Sequence, residues 1–357
     1  MDTSDKDIVF DDDGICNHCK LHEERVAMAP ISKPDAQQQL QVVVDRIKAQ
    51  SRGEYDSILG LSGGVDSSYV AYQAVKLGLR PLAVHFDNGW NSELAVENIE
   101  KMVKKLGLDL VTYVIDWDEF RDIQRSFFKA DVIDIEMVTD HAIFAAMFKI
   151  AKQHRIRYIL SGTNAATESI MPESWSHFKF DLLNLNSIHK KFGTIPISHF
   201  PRMSIWKMAW NHYVSGPKAV SILNYLPYHK GKAIEILKDD LDWKYYGGKH
   251  YESVFTKFYQ TYILPRKFGV DKRRNHLSDL IMNGEITRNE ALAELAAPPI
   301  EEKEAAEARE YVCKKLGFTD AEFEAYMKRP PVSHFSYPSY AKIARSLVSI
   351  HRRKRYA

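Results

Sequence analysis

The run LSGGVDSS at positions 61–68 constrains the fold of this chain more than any other feature. It ends an apolar stretch at 57–61 that is typical of a short strand, and it leads into a helical pattern over 67–77. A strand, a glycine turn and a helix start in that order form an anion site. Glycine lets backbone N–H groups approach the anion, and the helix N-terminus carries partial positive charge. The run is not a Walker motif, since no Gly-Lys-Ser/Thr follows it.

The polar side chains of this loop refine the prediction. Ser62, Ser67 and Ser68 can add hydroxyl donors to an anion site. Asp66 is the exception, because a carboxylate beside a phosphate repels it; a role as helix N-cap or as a ligand of Mg²⁺ bridging to phosphate explains it. A capping turn without any ligand is the simpler alternative. The complete SGGxDS string between a strand and a helix favours the phosphate site.

Strand and helix patterns alternate along the first half of the chain. The predicted strands are 57–61, 81–86, 110–115 and 158–161, and the predicted helices are 35–50, 67–77, 92–106 and 139–154. This alternation predicts an α/β fold, a doubly wound parallel sheet with helices on both faces. Farther on, 172–202 shows little periodicity and is predicted to be a long substrate loop. The remaining predicted helices lie within 204–238, 250–295 and 301–328.

Three polar loops follow predicted strands. They lie at 62–67, 87–92 and 161–164, and Glu168 follows the third loop. In doubly wound sheets, ligands bind beyond the carboxyl ends of the strands. Each loop alone could be an ordinary turn, but three polar loops at this edge predict a nucleotide site.

The composition limits the class of protein. The 357 residues are 45% hydrophobic and 27% charged, as in a soluble globular protein of one large domain or two. The formal net charge of +2 does not favour nucleic-acid binding, and the basic run at 351–355 is interpreted as a solvated tail. The acidic N-terminus is no signal peptide, and no stretch is long enough for a membrane span, which predicts a cytoplasmic protein. Three cysteines do not make a disulfide framework.

The SGGxDS string resembles the PP-loop of the ATP pyrophosphatases, a superfamily that includes GMP synthetase, asparagine synthetase and NAD synthetase. The chain as a whole resembles the N-acetyl sugar amidotransferases of bacterial surface-polysaccharide biosynthesis. The segments that carry this second resemblance are FDDDGICNHC at 10–19, HFDNGWNS at 85–92, SGTN at 161–164, YYGGKHYES at 245–253, PRKFGVDKR at 265–273 and GEITR at 284–288.

This resemblance implies an activity. Members convert the acetamido group of a nucleotide-activated sugar or sugar acid into an acetamidino group. ATP adenylylates the amide oxygen with release of pyrophosphate, and ammonia from a separate glutaminase subunit then displaces AMP. The implied substrates and cofactors are therefore ATP, Mg²⁺ and an acetamido sugar, with Zn²⁺ as a further ion.

The resemblance also implies site residues. Asp66, Lys249 and His250 would be catalytic, and Asp66 and Glu168 would hold Mg²⁺. The nucleotide would contact Ser62, Gly63, Gly64, Ser67, Ser68, His85, Phe86, Asp87, Gly162, Thr163, Asn164, Lys272 and Arg273. Candidate sugar contacts in the predicted substrate loop are Trp175, His177, Lys179 and Arg202. The alternatives are solvent-exposed lysine and arginine side chains, and a structural role for His250.

The first residues form a separate head in this prediction. Cys16 and Cys19 are spaced as half of a four-Cys zinc knuckle, and family members usually carry an earlier Cys-x-x-Cys. His18 or His22 could serve as further ligands, and two free thiols are the alternative. The predicted domains are a head at 1–24, a PP-loop domain at 25–215 and a helical substrate and pyrophosphate region at 216–357.

Two other functions stay open at this point. A tRNA-modifying PP-loop enzyme, such as a thiolase or lysidine synthetase, would share the SGGxDS string. Near-neutral charge disfavours it, because tRNA binding usually needs a basic face. A non-catalytic nucleotide-binding or scaffold subunit is the other alternative, and the intact glycine loop with Asp66 disfavours that one.

Overall fold

The computed structural model describes residues 1–342, so the basic run at 351–355 lies outside the described residues. Its five strands are β1 Ser57–Gly60, β2 Pro81–Asp87, β3 Leu110–Val114, β4 Tyr158–Leu160 and β5 Lys218–Val220. They form one parallel sheet in the order β3-β2-β1-β4-β5. In this register Leu59 lies between Ala83 and Leu160, which places the loop after β1 at the centre of the sheet edge.

Helices make up most of the rest of the described chain. The α-helices are α1 Asn17–Met28, α2 Ala36–Ala49, α3 Val65–Lys76, α4 Glu93–Leu106, α5 Trp117–Lys129, α6 Met137–Gln153, α7 Leu182–Phe192, α8 Ile205–Trp210, α9 Lys230–Leu241, α10 Val254–Phe258, α11 Arg273–Met282, α12 Arg288–Ala296, α13 Glu302–Leu316 and α14 Asp320–Lys328. Two π-helical stretches, Asn211–Ser215 and Tyr259–Phe268, continue α8 and α10. Among the described helices, none combines the length and hydrophobicity needed to cross a bilayer.

Both faces of the sheet are covered by helices. Neighbouring residues of a strand point to opposite faces. Leu59 packs in a cluster with side chains of α2, α3, α4 and α9, whereas Ile58 packs in another cluster with Met147 and Ile150 of α6. The α/β fold with a doubly wound parallel sheet is therefore confirmed.

A further hydrophobic cluster joins α5, α6 and α7 to the helices after residue 250. Its fully buried members include Phe127, Leu185, Phe258 and Leu316. Burial of such side chains contributes roughly 1.5–3 kcal/mol each before the loss of conformational entropy is subtracted. The C-terminal helices are thus packed on α5 and α7. The division into domains at 24 and 215 stays a prediction, and β5 begins just after the second boundary.

Two predictions for the second half of the chain are wrong in part. The segment 172–202 is not one long loop, because it contains α7. The Asp181 side chain caps this helix, and Leu185 and Ile188 are buried in the core. The segment 204–238 is not all helix, since β5 interrupts it and pairs with β4. The two helices predicted within 301–328 are confirmed as α13 and α14.

Candidate active site

A cavity of about 560 Å³ lies at the carboxyl ends of β1, β2 and β4. Its walls are the glycine loop 61–68, α6, the loop 161–168 and parts of the segment 246–276. The polar residues that line it are Ser62, Asp66, Ser67, His85, Asn88, Asn91, Glu136, Thr139, Asp140, Ser161, Thr163, Glu168, Ser176, Lys179, Lys230, Tyr246, Lys249, His250, Glu252, Ser253, Thr256, Gln260, Lys272 and His276. The cavity occupies the position that the doubly wound topology predicts for a ligand.

Two aromatic side chains from a distant segment hold the glycine loop. Gly63 has φ +79°, and a Cβ there would lie 2.5 Å from the carbonyl oxygen of Ala95. The Trp243 indole donates to the Gly63 carbonyl at 3.0 Å, and the amide of Val65 donates to the Tyr246 hydroxyl at 3.0 Å. The loop therefore needs glycine for its backbone conformation and also for the close approach of α4.

Gly63→Ala is expected to destabilise the fold more than Gly107→Ala. Both glycines have positive φ, +79° and +62°, so both variants carry the cost of a left-handed alanine, roughly 1–2 kcal/mol. A Cβ at Gly107 meets no atom within 4 Å, whereas at Gly63 it meets the Ala95 backbone. The difference between the two free energies of unfolding, measured in urea, isolates that contact. Equal losses would contradict this account of the loop.

The Asp66 carboxylate points into the cavity from the first turn of α3. It accepts a hydrogen bond from the Tyr228 hydroxyl. Burial, followed by the neighbouring Asp66 carboxylate, raises the pKa of Tyr228 far above its usual value, so the phenol stays a donor. The N-cap of α3 is Gly64 and not Asp66, which makes the capping interpretation of Asp66 wrong.

Lys249 lines the same cavity as Asp66. Its Nζ lies 3.0 Å from Glu168 Oε1 and donates to the Thr167 carbonyl at 3.1 Å. Burial opposes the charge on this ammonium, but the carboxylates of Glu168 and Asp66 outweigh burial and raise the pKa of Lys249. With a side chain only 12% exposed, Lys249 is not a solvent lysine.

Glu252 links His250 to the glycine loop. Its Oε1 lies 3.8 Å from His250 Nδ1 and 3.5 Å from the Ser62 hydroxyl, which donates to it. Burial opposes the charged form of His250, but Glu252 outweighs it and raises the pKa of His250. Burial also opposes the charged form of Glu252, and His250 in turn holds the pKa of Glu252 below its usual value. His250 and Glu252 thus favour each other's charged form, and the φ of His250, +64°, lies in the left-handed region.

Glu252→Gln is expected to lower the pKa of His250, because a neutral amide cannot offset the burial of the imidazolium. In the wild type the folded-state pKa is raised. The stabilisation of the fold by this pair is therefore present below the pKa of histidine in the unfolded chain, about 6.5. It is lost as pH rises through the pKa of His250 in the folded protein. An NMR titration of the ring protons measures the shift, with exposed His154 as internal reference. An unchanged His250 pKa in the variant would show that Glu252 is not its partner.

Additional cations surround a neutral imidazole in the cavity. Burial lowers the pKa of both Lys230 and Lys272. Burial, followed by the charges of Lys249 and His250, holds the pKa of His276 well below its usual range. The rings of His250 and His276 lie 5.9 Å apart, edge to face. The cavity thus offers several partly buried basic side chains to an anionic ligand and one imidazole among them that favours its neutral form.

The wall at the end of β2 is arranged by a short polar network. His85 Nδ1 lies 3.3 Å from the Leu61 carbonyl, and its Nε2 lies 3.2 Å from the side-chain amide of Asn91. Phe86 stacks on Tyr113 with ring centroids 5.5 Å apart. The side chains of this wall carry less charge than those beside the glycine loop 61–68. The wall therefore suits contact with a nucleoside.

The cavity brings together most of the predicted site residues. Those that line it are Ser62, Gly64, Asp66, Ser67, His85, Phe86, Gly162, Thr163, Glu168, Lys249, His250 and Lys272. Of the four predicted sugar contacts, Lys179 lines it and is ion-paired with Asp134 at 2.7 Å. Trp175 and His177 are buried outside the lining, and Arg202 is exposed elsewhere.

Five predicted contacts do not line the cavity. Gly63 supports the loop from behind, and Ser68 is buried in α3. The side chains of Asp87 and Asn164 accept hydrogen bonds from the amides of Gly89 and Thr167, so they shape their own loops. Arg273 pairs with Asp271 at 2.7 Å and donates to the carbonyls of Glu294 and Ala297, which makes it a structural link between α11 and α12.

The two head cysteines lie together, with Sγ atoms 3.4 Å apart, and Cys16 caps α1. His18 is hydrogen-bonded to Asp5 at 2.6 Å, and His22 lies 3.4 Å from Asp279. Within residues 1–342, no third ligand atom from a His, Cys, Asp or Glu side chain gathers with both sulfurs. The zinc site stays a prediction.

Several site residues were not predicted. Tyr228, Lys230 and His276 lie far from the glycine loop in the sequence and carry no motif of their own. Tyr246 directly precedes the Gly-Gly-Lys turn at 247–249, and Glu252 follows that turn by three residues. Both lie within the YYGGKHYES segment, which was the available signal.

The residues of the cavity fit a hard divalent cation. Asp66, Glu168 and Glu252 supply three carboxylates, the ligand type that Mg²⁺ prefers. Glu168 is engaged by Lys249, whereas Glu252 Oε2 is buried without a hydrogen-bond partner among the described residues. Glu252 therefore joins Asp66 and Glu168 as a candidate ligand.

Comparison with known proteins identifies the class. Residues 37–191, which include β1 to β4 and the glycine loop, match the family model of NAD synthase. Residues 252–350 match the family model described as LPS biosynthesis protein WbpG-like, C-terminal domain. The chain therefore combines a PP-loop domain of the NAD synthase type with a WbpG-like C-terminal domain, which confirms the predicted resemblance.

The solved structures that match this chain include two synthetases. NMN synthetase from Francisella tularensis is 16% identical with a TM-score of 0.36, over 72% of this chain and 94% of that one. NH3-dependent NAD synthetase from Campylobacter jejuni subsp. jejuni NCTC 11168, in complex with the nitrate ion, is 14% identical with a TM-score of 0.31, over 84% of this chain and 97% of that one. A comparison with curated proteins gave no significant match.

Proposed function

We propose that this protein is an ATP-dependent amidotransferase. It would convert the acetamido group of a nucleotide-activated sugar or sugar acid into an acetamidino group during surface-glycan (O-antigen) synthesis. One observation carries this proposal. The glycine loop from the NAD synthase-like part and the residues Glu252–His276 from the WbpG-like part line the same cavity. That arrangement supports transfer of adenylate from ATP to a sugar substrate.

An amide needs activation before ammonia can replace its oxygen, because that oxygen is a poor leaving group. In the proposed reaction, the acetamido oxygen attacks the α-phosphorus of ATP, and the bond from that phosphorus to pyrophosphate breaks. The product is an O-adenylyl imidate on the sugar. Ammonia adds to the imidate carbon, a proton is lost, and the carbon–oxygen bond to AMP breaks to leave the amidine.

The residues of the chain position the reactants in this scheme and need no covalent nucleophile. Ser62, Gly64 and Ser67 would hold the β- and γ-phosphates at the start of α3. Lys249 and Lys230 would neutralise charge on the departing pyrophosphate, since both ammonium groups line the glycine-loop end of the cavity. Mg²⁺ held by Asp66 and Glu252 or Glu168 would, when bound, offset the charge of the phosphates.

His276 is the better candidate for the contact with ammonia. Glu252 favours the charged form of His250, which has no free pair to accept a proton, whereas burial and the surrounding cations favour the neutral form of His276. These cations would also repel ammonium and favour uncharged ammonia. The ammonia would come from a separate glutaminase subunit. The reaction would take place in the cytoplasm, where ATP is supplied.

The test is an assay of the purified protein with ATP, ammonium and a panel of nucleotide-activated acetamido sugars. We expect AMP and pyrophosphate in equal amounts, together with a sugar product about one dalton lighter by mass spectrometry, as replacement of O by N–H requires. Release of ADP and phosphate would contradict the proposal.

Two outcomes would support the other functions. Retention of tRNA that weakens with salt, with no change in any sugar, would favour a tRNA-modifying enzyme. Tight ATP binding without pyrophosphate release, for any sugar of the panel, would favour a nucleotide-binding subunit.

A further inference from the structure

The helical segment 205–215, which is α8 and its π-helical continuation, exposes a group of large apolar side chains. Trp206 is 77% exposed, Trp210 59%, Tyr213 67% and Val214 61%. Their spacing of four, three and one residues places them on one side of the helical segment. None of the four lines the cavity at the glycine loop. Soluble proteins rarely expose such a group of large apolar side chains to water unless it contacts a partner.

The sequence around this patch is strongly basic. No Asp or Glu occurs between Asp181 and Glu235. The same stretch contains the cations Lys190, Lys191, Arg202, Lys207, Lys218 and Lys232, in addition to Lys230, which lines the cavity. Lys207 lies within the aromatic segment, Lys218 begins the edge strand β5 directly after it, and both are exposed. The chain as a whole has a net charge of only +2, so this concentration of positive charge is local.

We propose that the segment 205–215 docks the protein on an anionic phospholipid surface. Tryptophan and tyrosine rings are suited to the headgroup region, where the apolar ring is buried and the polar group stays hydrated. Lysine side chains beside them are attracted by anionic headgroups. The docking is peripheral and requires no spanning helix.

The basic surroundings distinguish a lipid surface from a second copy of this chain. A two-fold dimer interface brings a patch against itself, so Lys207 of one copy would face the same positive region of the other. That pairing is repulsive, whereas an anionic bilayer complements both the rings and the charges.

Docking of this segment is compatible with an open active site. The segment leads into the amino end of β5, whereas the cavity lies at the carboxyl ends of the parallel strands. A membrane in contact with 205–215 therefore does not need to cover the cavity.

Flotation of the full chain with vesicles tests this proposal. We expect it to float with vesicles of phosphatidylcholine and phosphatidylglycerol, to float poorly with phosphatidylcholine alone, and to detach as salt rises. Trp206→Ser combined with Trp210→Ser should lower the partition coefficient on the order of tenfold or more, and Lys207→Gln about fivefold. Leu292→Ser, at an apolar position 52% exposed on α12, is the matched control and should leave binding unchanged.

Circular dichroism and the Tm identify any variant that fails to fold, and ATP turnover without vesicles should be the same in all three variants and the wild type. Wild-type protein that stays unbound with both kinds of vesicle would overturn the proposal, as would equal binding by the double tryptophan variant. So would sedimentation showing that the double variant abolishes self-association while vesicle binding persists, because the patch would then be a dimer interface.

Discussion

The Asp66→Asn variant is expected to lose ATP-dependent amidine formation by roughly a thousandfold or more while folding like the wild type. The carboxylate is the only acidic group that the glycine loop and the first turn of α3 direct into the cavity. An asparagine keeps an oxygen for the Tyr228 hydroxyl to donate to, but it removes the negative charge that a Mg²⁺ ligand needs. Amidine formation is measured by mass spectrometry, and the Tm reports on folding.

Tyr228→Phe is the matched control for Asp66→Asn. It removes the hydrogen bond to the carboxylate and leaves the charge, so we expect a much smaller loss of turnover together with a higher requirement for Mg²⁺. Wild-type turnover in Asp66→Asn would exclude Asp66 from the reaction. An equal loss in both variants would instead mean that orientation by Tyr228, and not charge, is what the site needs.

The sheet could be predicted because its first four strands are apolar runs that alternate with amphipathic helices. β5 could not, since Lys218–Val220 is a three-residue edge strand, too short to show a period, and it follows Gly216 and Pro217. α7 was missed for another reason. It buries Asn184 beside Leu185 and Ile188, so its apolar stripe is broken by a polar residue whose partners come from a distant segment.

The site was predictable where one stretch of sequence forms it. The glycine loop and the loop 161–164 follow strands directly, and topology brings strand ends together. Trp243 supports the loop from elsewhere and gave no local signal, whereas Tyr246 lies in the matching YYGGKHYES segment. Trp243 and Tyr246 contact the glycine loop only because α9 packs beside α3 and α4, which is a consequence of the tertiary fold. Arg273 is a cation in a matching segment, and in the fold it contacts Asp271 and the end of α12 and does not line the cavity.

Lys249→Ala is expected to lower kcat by about 10²–10³-fold, the usual loss when one charged contact to a transition state is removed. The substitution also leaves Glu168 without its cation and next to Asp66, so part of the loss could come from repulsion between carboxylates and phosphate. The double variant Lys249→Ala, Glu168→Ala separates the two effects, because it removes the carboxylate that Lys249 neutralises. If Lys249 acts on pyrophosphate, the double variant stays slow; recovery to wild-type turnover would assign Lys249 to neutralising Glu168 alone. Lys244→Ala, at an exposed lysine paired with Glu97, is the control and should retain full turnover.

Because the pKa of Lys249 is raised, the contribution of Lys249 to kcat should not titrate as pH rises from 6 to about 10, the ordinary pKa of lysine. A pH–rate profile of the wild type that falls within this range while that of Lys249→Ala stays flat would contradict a permanently charged Lys249.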